Sequence, residues 1–276
     1  MNLNEIIWRS NYQLLAINLN DNDFSNPFWG SAFFLAYKKS MWLITANHVV
    51  HNELFDLTVD GFGQERPYKY KYFLINNKNN QIKLEELPHL LKFSFFYKHN
   101  HDIFSYEDLK KAGITNLNLF EKIDVALCEL KNVFPETFLT HRLSGNNETI
   151  LVKEGLTKLS IPCENFTEPT INDQYYIYGV VKNKYNDEHN ISRCDVMHCN
   201  LQYVEENEDF YIFKNPTKII GDEWKATSGS AVFNQDGKVV GMAVEIPLGQ
   251  SSRPIIKVVP YKTILRSIDH LIDTKK

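Results

Sequence analysis

The sequence predicts an all-β protein that ends in one amphipathic helix. Short runs of β-branched and aromatic residues, bounded by turn residues, recur along most of the 276 residues. The pair Asp236-Gly237 lies between two such runs and is a strong hairpin signal. Near the C-terminus, Pro260 opens a stretch with helical spacing. The apolar face of that stretch consists of Ile264, Leu265, Ile268, Leu271 and Ile272.

The individual elements follow in chain order. Residues 30–37 and 41–45 form a predicted hairpin with Lys38-Lys39-Ser40 at its turn. Further strands are predicted at 125–130, 175–181, 231–233, 238–244 and 255–259, and the terminal helix at 260–273. The segment of about 52–120 is less regular and long for a connection, so it is predicted to be an insertion that decorates a barrel.

Composition excludes several classes of protein. The chain has 43% hydrophobic residues, enough for one large domain or two small barrels that share an interface. Its 30 basic and 34 acidic residues give a net charge of −4, which argues against nucleic acid as a partner. No apolar run approaches the roughly 20 residues of a membrane helix. Because the N-terminus lacks a secretory signal pattern, we expect a cytoplasmic protein with four free cysteines and no membrane partner.

Two segments carry a weak signal for other ligands. His99 and His101 are two residues apart, but in a polar segment such a pair is more often solvated than bound to a metal. The alternating tyrosines and lysines at 68–72 fit a strand with one packed and one wet face better than a base-stacking surface. We therefore expect no metal site and no cofactor.

Three motifs contain the residue types of an activated hydroxyl nucleophile. His48 follows an apolar run, Asp124 precedes another, and Ser228 lies between small residues ahead of a strand. A serine attacks when a histidine takes its proton and a carboxylate orients that histidine. Each motif alone is more often structural. The order His, Asp, Ser argues against a second option, an esterase of the α/β-hydrolase class, in which the serine comes first.

These motifs resemble those of the trypsin-like, chymotrypsin-fold serine peptidases. The similarity is greatest to two bacterial branches, the glutamyl endopeptidases and the HtrA type. The run TANHV at 45–49 resembles the histidine motif, DVAL at 124–127 the aspartate motif, and SGSAVFN at 228–234 the nucleophile motif. GSAF at 30–33 matches the strand that precedes the histidine. The similarity spans roughly residues 28–272 and leaves the long middle segment unmatched.

The resemblance implies a specific architecture. It predicts two six-stranded antiparallel β-barrels, chymotrypsin-like, with a C-terminal helix. The N-terminal barrel, 1–145, would carry His48, Asp124 and the insertion of about 52–120. The C-terminal barrel, 146–276, would carry Ser228 and end in helix 260–273.

The resemblance also implies a mechanism. A serine endopeptidase would form an acyl-enzyme on Ser228, with His48 as base, Asp124 as orienting carboxylate and no cofactor. The backbone N–H groups of Ala226 and Ser228 would form the oxyanion hole. Ala226 stands where the family usually has glycine, and Thr227 where it has Asp or Asn. These departures keep a second function open, a catalytically inactive binding or scaffold module.

Specificity and partners are predicted from the same resemblance. Asp222, six residues before the nucleophile, would lie at the base of the primary pocket and favour Arg or Lys, unless it lies in an exposed turn. Ala243, Val244 and Glu245 would line the substrate channel. Ala243 stands where glutamyl endopeptidases have a pocket histidine, which weakens an acidic preference. By analogy with bacterial intracellular peptidases, the substrate is a protein or peptide, with narrow specificity or one dedicated partner protein.

Overall fold

The structure is a computed structural model that describes residues 1–18, 28–50, 70–74, 82–83, 91–114, 116–130, 138–145, 148–185, 190–216, 226–245 and 255–275. Within these ranges the chain forms two β-sheets and four α-helices. The helices are α1 (Leu3–Ser10), α2 (Asn47–Val50), α3 (Tyr106–Lys111) and α4 (Tyr261–Asp273).

The first sheet carries the two candidate residues of the N-terminal half. Seven of its strands pair antiparallel, and an eighth, β11 (Ser160–Pro162), runs parallel beside one of them. In spatial order the seven are β4 (Tyr70–Leu74), β1 (Asn11–Asn18), β2 (Phe28–Tyr37), β3 (Ser40–Thr45), β8 (Glu121–Leu130), β6 (Ser94–His99) and β7 (Asp102–Ser105). Among the described strands this path is open, since β4 and β7 lie at its two ends.

The second sheet closes on itself. Six strands pair antiparallel in a ring, and a buried cluster that includes Tyr175, Phe213 and Val240 fills the interior. Around the ring these are β13 (Asn190–Glu206), β12 (Gln174–Tyr185), β15 (Ala231–Asn234), β16 (Val239–Glu245), β17 (Ile255–Pro260) and β14 (Tyr211–Lys214). Outside the ring, β9 (Phe138–Gly145) and β5 (Ile82–Lys83) pair with β13, and β10 (Glu148–Thr157) pairs with β9.

The predicted fold class is confirmed: the protein is all-β, has a closed six-stranded antiparallel barrel and a C-terminal helix, and is consistent with a chymotrypsin-like double barrel. The predicted first hairpin corresponds to β2 and β3. Its turn residues Lys38 and Lys39 have φ of 48° and 62°, the backbone of a two-residue turn between twisted strands. The Asp-Gly hairpin also forms, with Gly237 at φ 76°.

Part of the predicted insertion completes the first sheet. Strands β4, β6 and β7 lie within residues 52–120, and each pairs with the first sheet. The short helix α3 follows β7 directly, and the hydroxyl of Ser105, the last residue of β7, caps it. The domain boundary predicted at 145/146 stays a prediction, and the parallel pairing of β11 with β2 carries the chain back across the first sheet.

The N-terminal helix α1 was not predicted from the sequence. Asn2 caps it by accepting from the N–H of Glu5 at 2.8 Å, and Glu5 pairs with Arg9 one turn later. A capping residue followed three positions later by Glu was the available signal. The helix buries Ile7 and Trp8 in a core cluster that spans both sheets.

Two further properties bear on the expectations from composition. No helix in the described part of the chain is long and apolar enough to span a membrane. Cys128, Cys163 and Cys199 are free thiols. Burial raises the pKa of the Cys128 thiol, which makes it a poor nucleophile at neutral pH.

Candidate active site

The histidine lies just after the end of β3, beside the paired strand β8. Thr45 ends β3 opposite Ala126 of β8, and the short helix α2 begins two residues later with Asn47. Asn47 is fully buried and donates from its side-chain amide to the carbonyl of Ile123 at 3.4 Å. This contact holds the start of α2 against β8, and His48 follows directly. Gly30 on β2 is required here, because a Cβ on it would lie 2.2 Å from Cγ1 of Val49.

Asp124 binds His48 with both carboxylate oxygens. The Oδ1 atom accepts from the backbone N–H of His48 at 3.0 Å, and Oδ2 lies 2.8 Å from Nδ1 of the ring. A carboxylate only accepts, so Nδ1 carries the proton and Nε2 of a neutral ring is left as an acceptor. The His48 side chain is 45% exposed, so this free nitrogen belongs to a ring that solvent and substrate can reach.

The serine lies on a tight loop that leads into β15. Its backbone reaches positive φ twice, with Ala226 at 66° and Gly229 at 91°. The left-handed region is open to glycine but costs an alanine on the order of 1 kcal/mol. The unusual conformation that the resemblance implies for position 226 is therefore present, although the residue is not glycine.

The first sheet holds this loop through one residue of β2, Ser31. Its N–H donates to the carbonyl of Ser228 at 2.8 Å, and its hydroxyl donates to the carbonyl of Ala226 at 2.7 Å. A Cβ at Gly229 would lie only 1.9 Å from the Ser31 carbonyl oxygen and 2.6 Å from the Thr45 hydroxyl. The nucleophile loop of one half is thus in direct backbone contact with β2 of the other half, which pairs with the strand that leads to His48.

The second barrel holds the same loop from the opposite side. The N–H of Gly229 donates to the Ala243 carbonyl at 2.8 Å, and the N–H of Ala243 donates to Ser230 at 2.9 Å. The side chain of Thr227 packs on β12, since a Cβ at Gly179 would lie 2.1 Å from its Cγ2. These contacts leave Ser228 half-buried at the junction of the two halves.

The Ser228 hydroxyl donates to the Val244 carbonyl at 3.2 Å, so in this structure its proton is not directed at His48. Among the described residues, the N–H groups of Ala226 and Ser228 donate no hydrogen bond. Two such groups on one turn are what an oxyanion hole requires.

The residues predicted to line the pocket and the substrate channel lie in different environments. Asp222 lies outside the described residues. Ala243 is fully buried in the barrel interior and reaches the site through its backbone. Val244 contacts Ser228 through its carbonyl, and its side chain is buried in the core cluster that spans both sheets. Glu245 is exposed and pairs with Lys257 on β17 at 2.6 Å.

Sequence reasoning missed two residues that hold the site. Ser31 is 1% exposed, and Asn11 is fully buried at the start of β1. Asn11 accepts from the N–H of Ala231, where β15 begins, at 3.1 Å and donates to the carbonyl of Ile7 at 2.8 Å. The available signal was a polar residue inside an apolar run, which is buried only when it is hydrogen-bonded.

In the part of the chain that the structure describes, no group of three or more His, Cys, Asp or Glu side chains could hold a metal ion. His99 instead hydrogen-bonds the carbonyl of Leu119 through Nδ1 at 2.8 Å.

Comparisons with known proteins give structural similarity only. No protein-family model and no curated protein matches the chain. Among solved structures, it is similar to an HtrA-type protease, AlgW, with a tripeptide, at 13% identity and a TM-score of 0.46 over 100% of this chain. The chain spans 65% of the length of that protease.

Two further solved structures are similar over most of their length. The Rv3671c protease of M. tuberculosis in its active form has 9% identity and a TM-score of 0.40, over 93% of this chain and 78% of that one. An inactivated protease paralogue of the scabies mite has 13% identity and a TM-score of 0.43, over 97% of both chains. Identity and TM-score are low in all three, so these similarities assign no activity to this chain.

Proposed function

We propose that this protein is a serine endopeptidase that hydrolyses peptide bonds through an acyl-enzyme on Ser228. The observation that carries the proposal is the double contact of Asp124 with His48. It fixes both the position of the ring and the nitrogen that carries the proton, which are the two tasks of the orienting carboxylate. An ordinary surface ion pair needs only one such contact.

The chemistry follows from these atoms. Nε2 of His48 takes the proton of the Ser228 hydroxyl as the oxygen attacks the scissile carbonyl, and Asp124 stabilises the charged ring. The N–H groups of Ala226 and Ser228 stabilise the oxyanion, each contributing a few kcal/mol. The ring then protonates the leaving amine, and water releases the acyl group by the same steps in reverse.

The Ser228 hydroxyl must first leave the Val244 carbonyl. A rotation about χ1 of Ser228 breaks the 3.2 Å hydrogen bond between them and frees the proton for His48. A substrate backbone N–H that donates to the Val244 carbonyl would compete for the same acceptor. Binding of an extended peptide would thereby favour the reactive orientation.

Finer properties belong to the same proposal. We infer an intracellular peptidase of the glutamyl endopeptidase or HtrA branch, with narrow specificity or one dedicated partner. Asp222 at the base of the pocket would favour Arg or Lys before the cleaved bond. The exposed carboxylate of Glu245 adds a second group that would attract a basic substrate, although Lys257 pairs with it in the free protein.

The direct test compares the parent protein with Ser228→Ala on a peptide library read by mass spectrometry. The parent should cleave and the variant should not, while both show the same circular dichroism and unfolding midpoint. Equal cleavage by the two would refute the nucleophile. A panel with Arg, Glu, Phe or Ala before the cut tests Asp222, and preference for Glu would remove Asp222 from the pocket.

An inactive binding module is the second candidate function. Two observations favour it: the Ser228 hydroxyl bonds the Val244 carbonyl, and Ala226 holds a conformation that is costly for alanine. In that case neither the parent nor Ser228→Ala would cleave any library peptide, and both would retain the same bound partners.

A further inference from the structure

Ala226 adopts a backbone conformation that its own side chain does nothing to stabilise. The described residues other than glycine with positive φ are Lys38, Lys39, Asn100, Asn200 and Ala226. The lysines occupy a hairpin turn, and asparagine tolerates this region because its side chain bonds locally. Alanine has no such group, so another part of the protein must favour this conformation.

Ser31 is the residue that contacts both sides of the nucleophile loop. Its hydroxyl binds the carbonyl of the peptide that joins Ala226 to Thr227, and its N–H binds the carbonyl of the peptide that joins Ser228 to Gly229. The peptide between these two carries the Ser228 N–H, one of the proposed oxyanion donors. Ser31 therefore fixes the two neighbours of that peptide group.

Ser31 is itself held rigidly. Its carbonyl accepts from the Thr45 hydroxyl at 2.7 Å, and both residues are buried, at 1% and 0% exposure. The same carbonyl fills the space that a side chain at Gly229 would need. The hydrogen bond from the Ser31 hydroxyl to the Ala226 carbonyl is part-buried, and removal of the hydroxyl takes that donor from the carbonyl.

We propose that Ser31 is a positioning residue that takes over the role of the missing glycine at position 226. A shift of Ala226 out of the left-handed region turns at least one of the peptide groups beside it. The Ser31 hydroxyl binds one of these peptide groups in its observed orientation and so disfavours that rotation. The inference rests on the proposed function, because what is positioned is the oxyanion hole of a serine peptidase.

The test is a double-mutant cycle with Ser31→Ala and Ala226→Gly, since glycine adopts positive φ without help. Ser267→Ala is the matched control. Ser267 is also fully buried and donates to a backbone carbonyl, that of Thr263 at 2.9 Å, but it lies on α4. Ser31→Cys keeps the shape of the side chain, slightly enlarged, with a weaker donor, and it serves if the alanine variant does not fold.

The first measurement is the rate of Ser228 labelling by a fluorophosphonate, together with kcat and KM on a cleaved library peptide. Ser31→Ala should lower the labelling rate and kcat by about 10- to 100-fold, less than the loss of an oxyanion donor itself, with KM nearly constant. In the Ala226→Gly background the same change should cost less than about threefold, because glycine needs no support. Equal losses in both backgrounds, or a loss in Ser267→Ala of the same size, would overturn the proposal.

The second measurement is urea unfolding of the four proteins of the cycle: the parent, Ser31→Ala, Ala226→Gly and the double variant. Urea unfolding does not depend on activity. Ser31→Ala should lower the midpoint more in the parent than in the Ala226→Gly background. If no protein labels but this difference is present, Ser31 supports Ala226 and the proposed enzyme function fails. If the proteins label and the difference is absent from both measurements, the enzyme function stands and the role of Ser31 is refuted.

Discussion

Some polar groups of the candidate site are hydrogen-bonded within the protein, and others have no partner in the part that the structure describes and can bind a substrate. Asp124 uses both oxygens on His48, and Ser31 uses its N–H, hydroxyl and carbonyl on neighbouring residues. The groups without a partner among the described residues include the N–H groups of Ala226 and Ser228. Fixed surroundings around a few unsatisfied groups are typical of preorganised electrostatic catalysis.

Asp124→Asn should lower kcat by about 1,000- to 10,000-fold. The amide oxygen can still accept from the His48 N–H, which turns the amide NH₂ toward Nδ1. Nδ1 must then accept, so the ring proton moves to Nε2, where it blocks proton transfer from Ser228.

The control for this change is Asp102→Asn at an exposed position on β7, which should keep full activity. Both variants should unfold close to the parent. An Asp124→Asn protein that retains more than about a tenth of the parent kcat contradicts the role of the carboxylate.

At the scale of elements, the nucleophile loop fits against β2 without space for a side chain at Gly229. Local signals in the sequence predicted β2, β15 and β16, because turn residues such as Asp236-Gly237 act within a few positions. The contact between Ser31 and Ala226 joins residues 195 positions apart. No local pattern in the sequence encodes such a contact. The motif around Ser228 could therefore be predicted, whereas the role of Ser31 could not.

Gly229→Ala should destabilise the protein far more than Gly113→Ala. Both glycines have positive φ, 91° and 70°, so both variants pay a conformational cost of about 1 kcal/mol. A Cβ at Gly113 meets nothing within 4 Å, whereas one at Gly229 overlaps the Ser31 carbonyl. We expect roughly 2 kcal/mol or more of additional loss in the free energy of unfolding for Gly229→Ala.

Urea titrations of the two variants measure this difference. Similar midpoints would mean that the loop does not sit against β2 as described. The comparison is independent of catalysis, so it tests the docking of the two halves even in an inactive protein.

At the scale of the whole molecule, both ends of the chain cross between the halves. Helix α4 follows the last strand of the second barrel, yet His270 on it contacts Asp108 of α3 at 2.6 Å. Asn11 near the N-terminus binds the N–H of Ala231 in the second barrel. The buried ammonium of Lys158 donates to the Trp8 carbonyl at 2.9 Å and lies 4.8 Å from the centre of the Trp8 indole. These contacts join segments that lie far apart in the sequence.

The sequence predicted α4 but not its contact with α3. Pro260 and the apolar spacing define the helix locally, whereas the position of α3 depends on how the segment 52–120 folds onto the first sheet. The open path of the first sheet and the parallel strand β11 were not predicted for the same reason: both depend on pairings between distant segments.

The contact between α3 and α4 should make stability depend on acid. Burial alone would raise the pKa of Asp108, but hydrogen bonds from Ser105 and His270 outweigh it, and the net pKa is below the ordinary 3.8. Because the pKa of Asp108 is lower in the folded than in the unfolded state, the carboxylate stabilises the folded state at pH values above its unfolded pKa. This contribution is lost as the pH falls through the folded pKa.

Asp108→Asn should therefore reduce the free energy of unfolding by about 0.5–1 kcal/mol at pH 7, as for a partly exposed carboxylate that accepts hydrogen bonds. The difference from the parent should shrink as pH falls below about 4. Thermal unfolding at pH 7, 5 and 3 checks this, with Asp102→Asn as control. A difference that stays constant or grows toward pH 3 would contradict the assigned contact.

The central claim is that His48 activates Ser228, and the most direct measurement is covalent labelling by a fluorophosphonate followed by peptide mass spectrometry. We predict one adduct per chain, located on Ser228, with labelling lost in His48→Ala while the variant stays folded. No adduct on the folded parent protein, or an adduct on Ser228 that forms at the parent rate in His48→Ala, would contradict the claim.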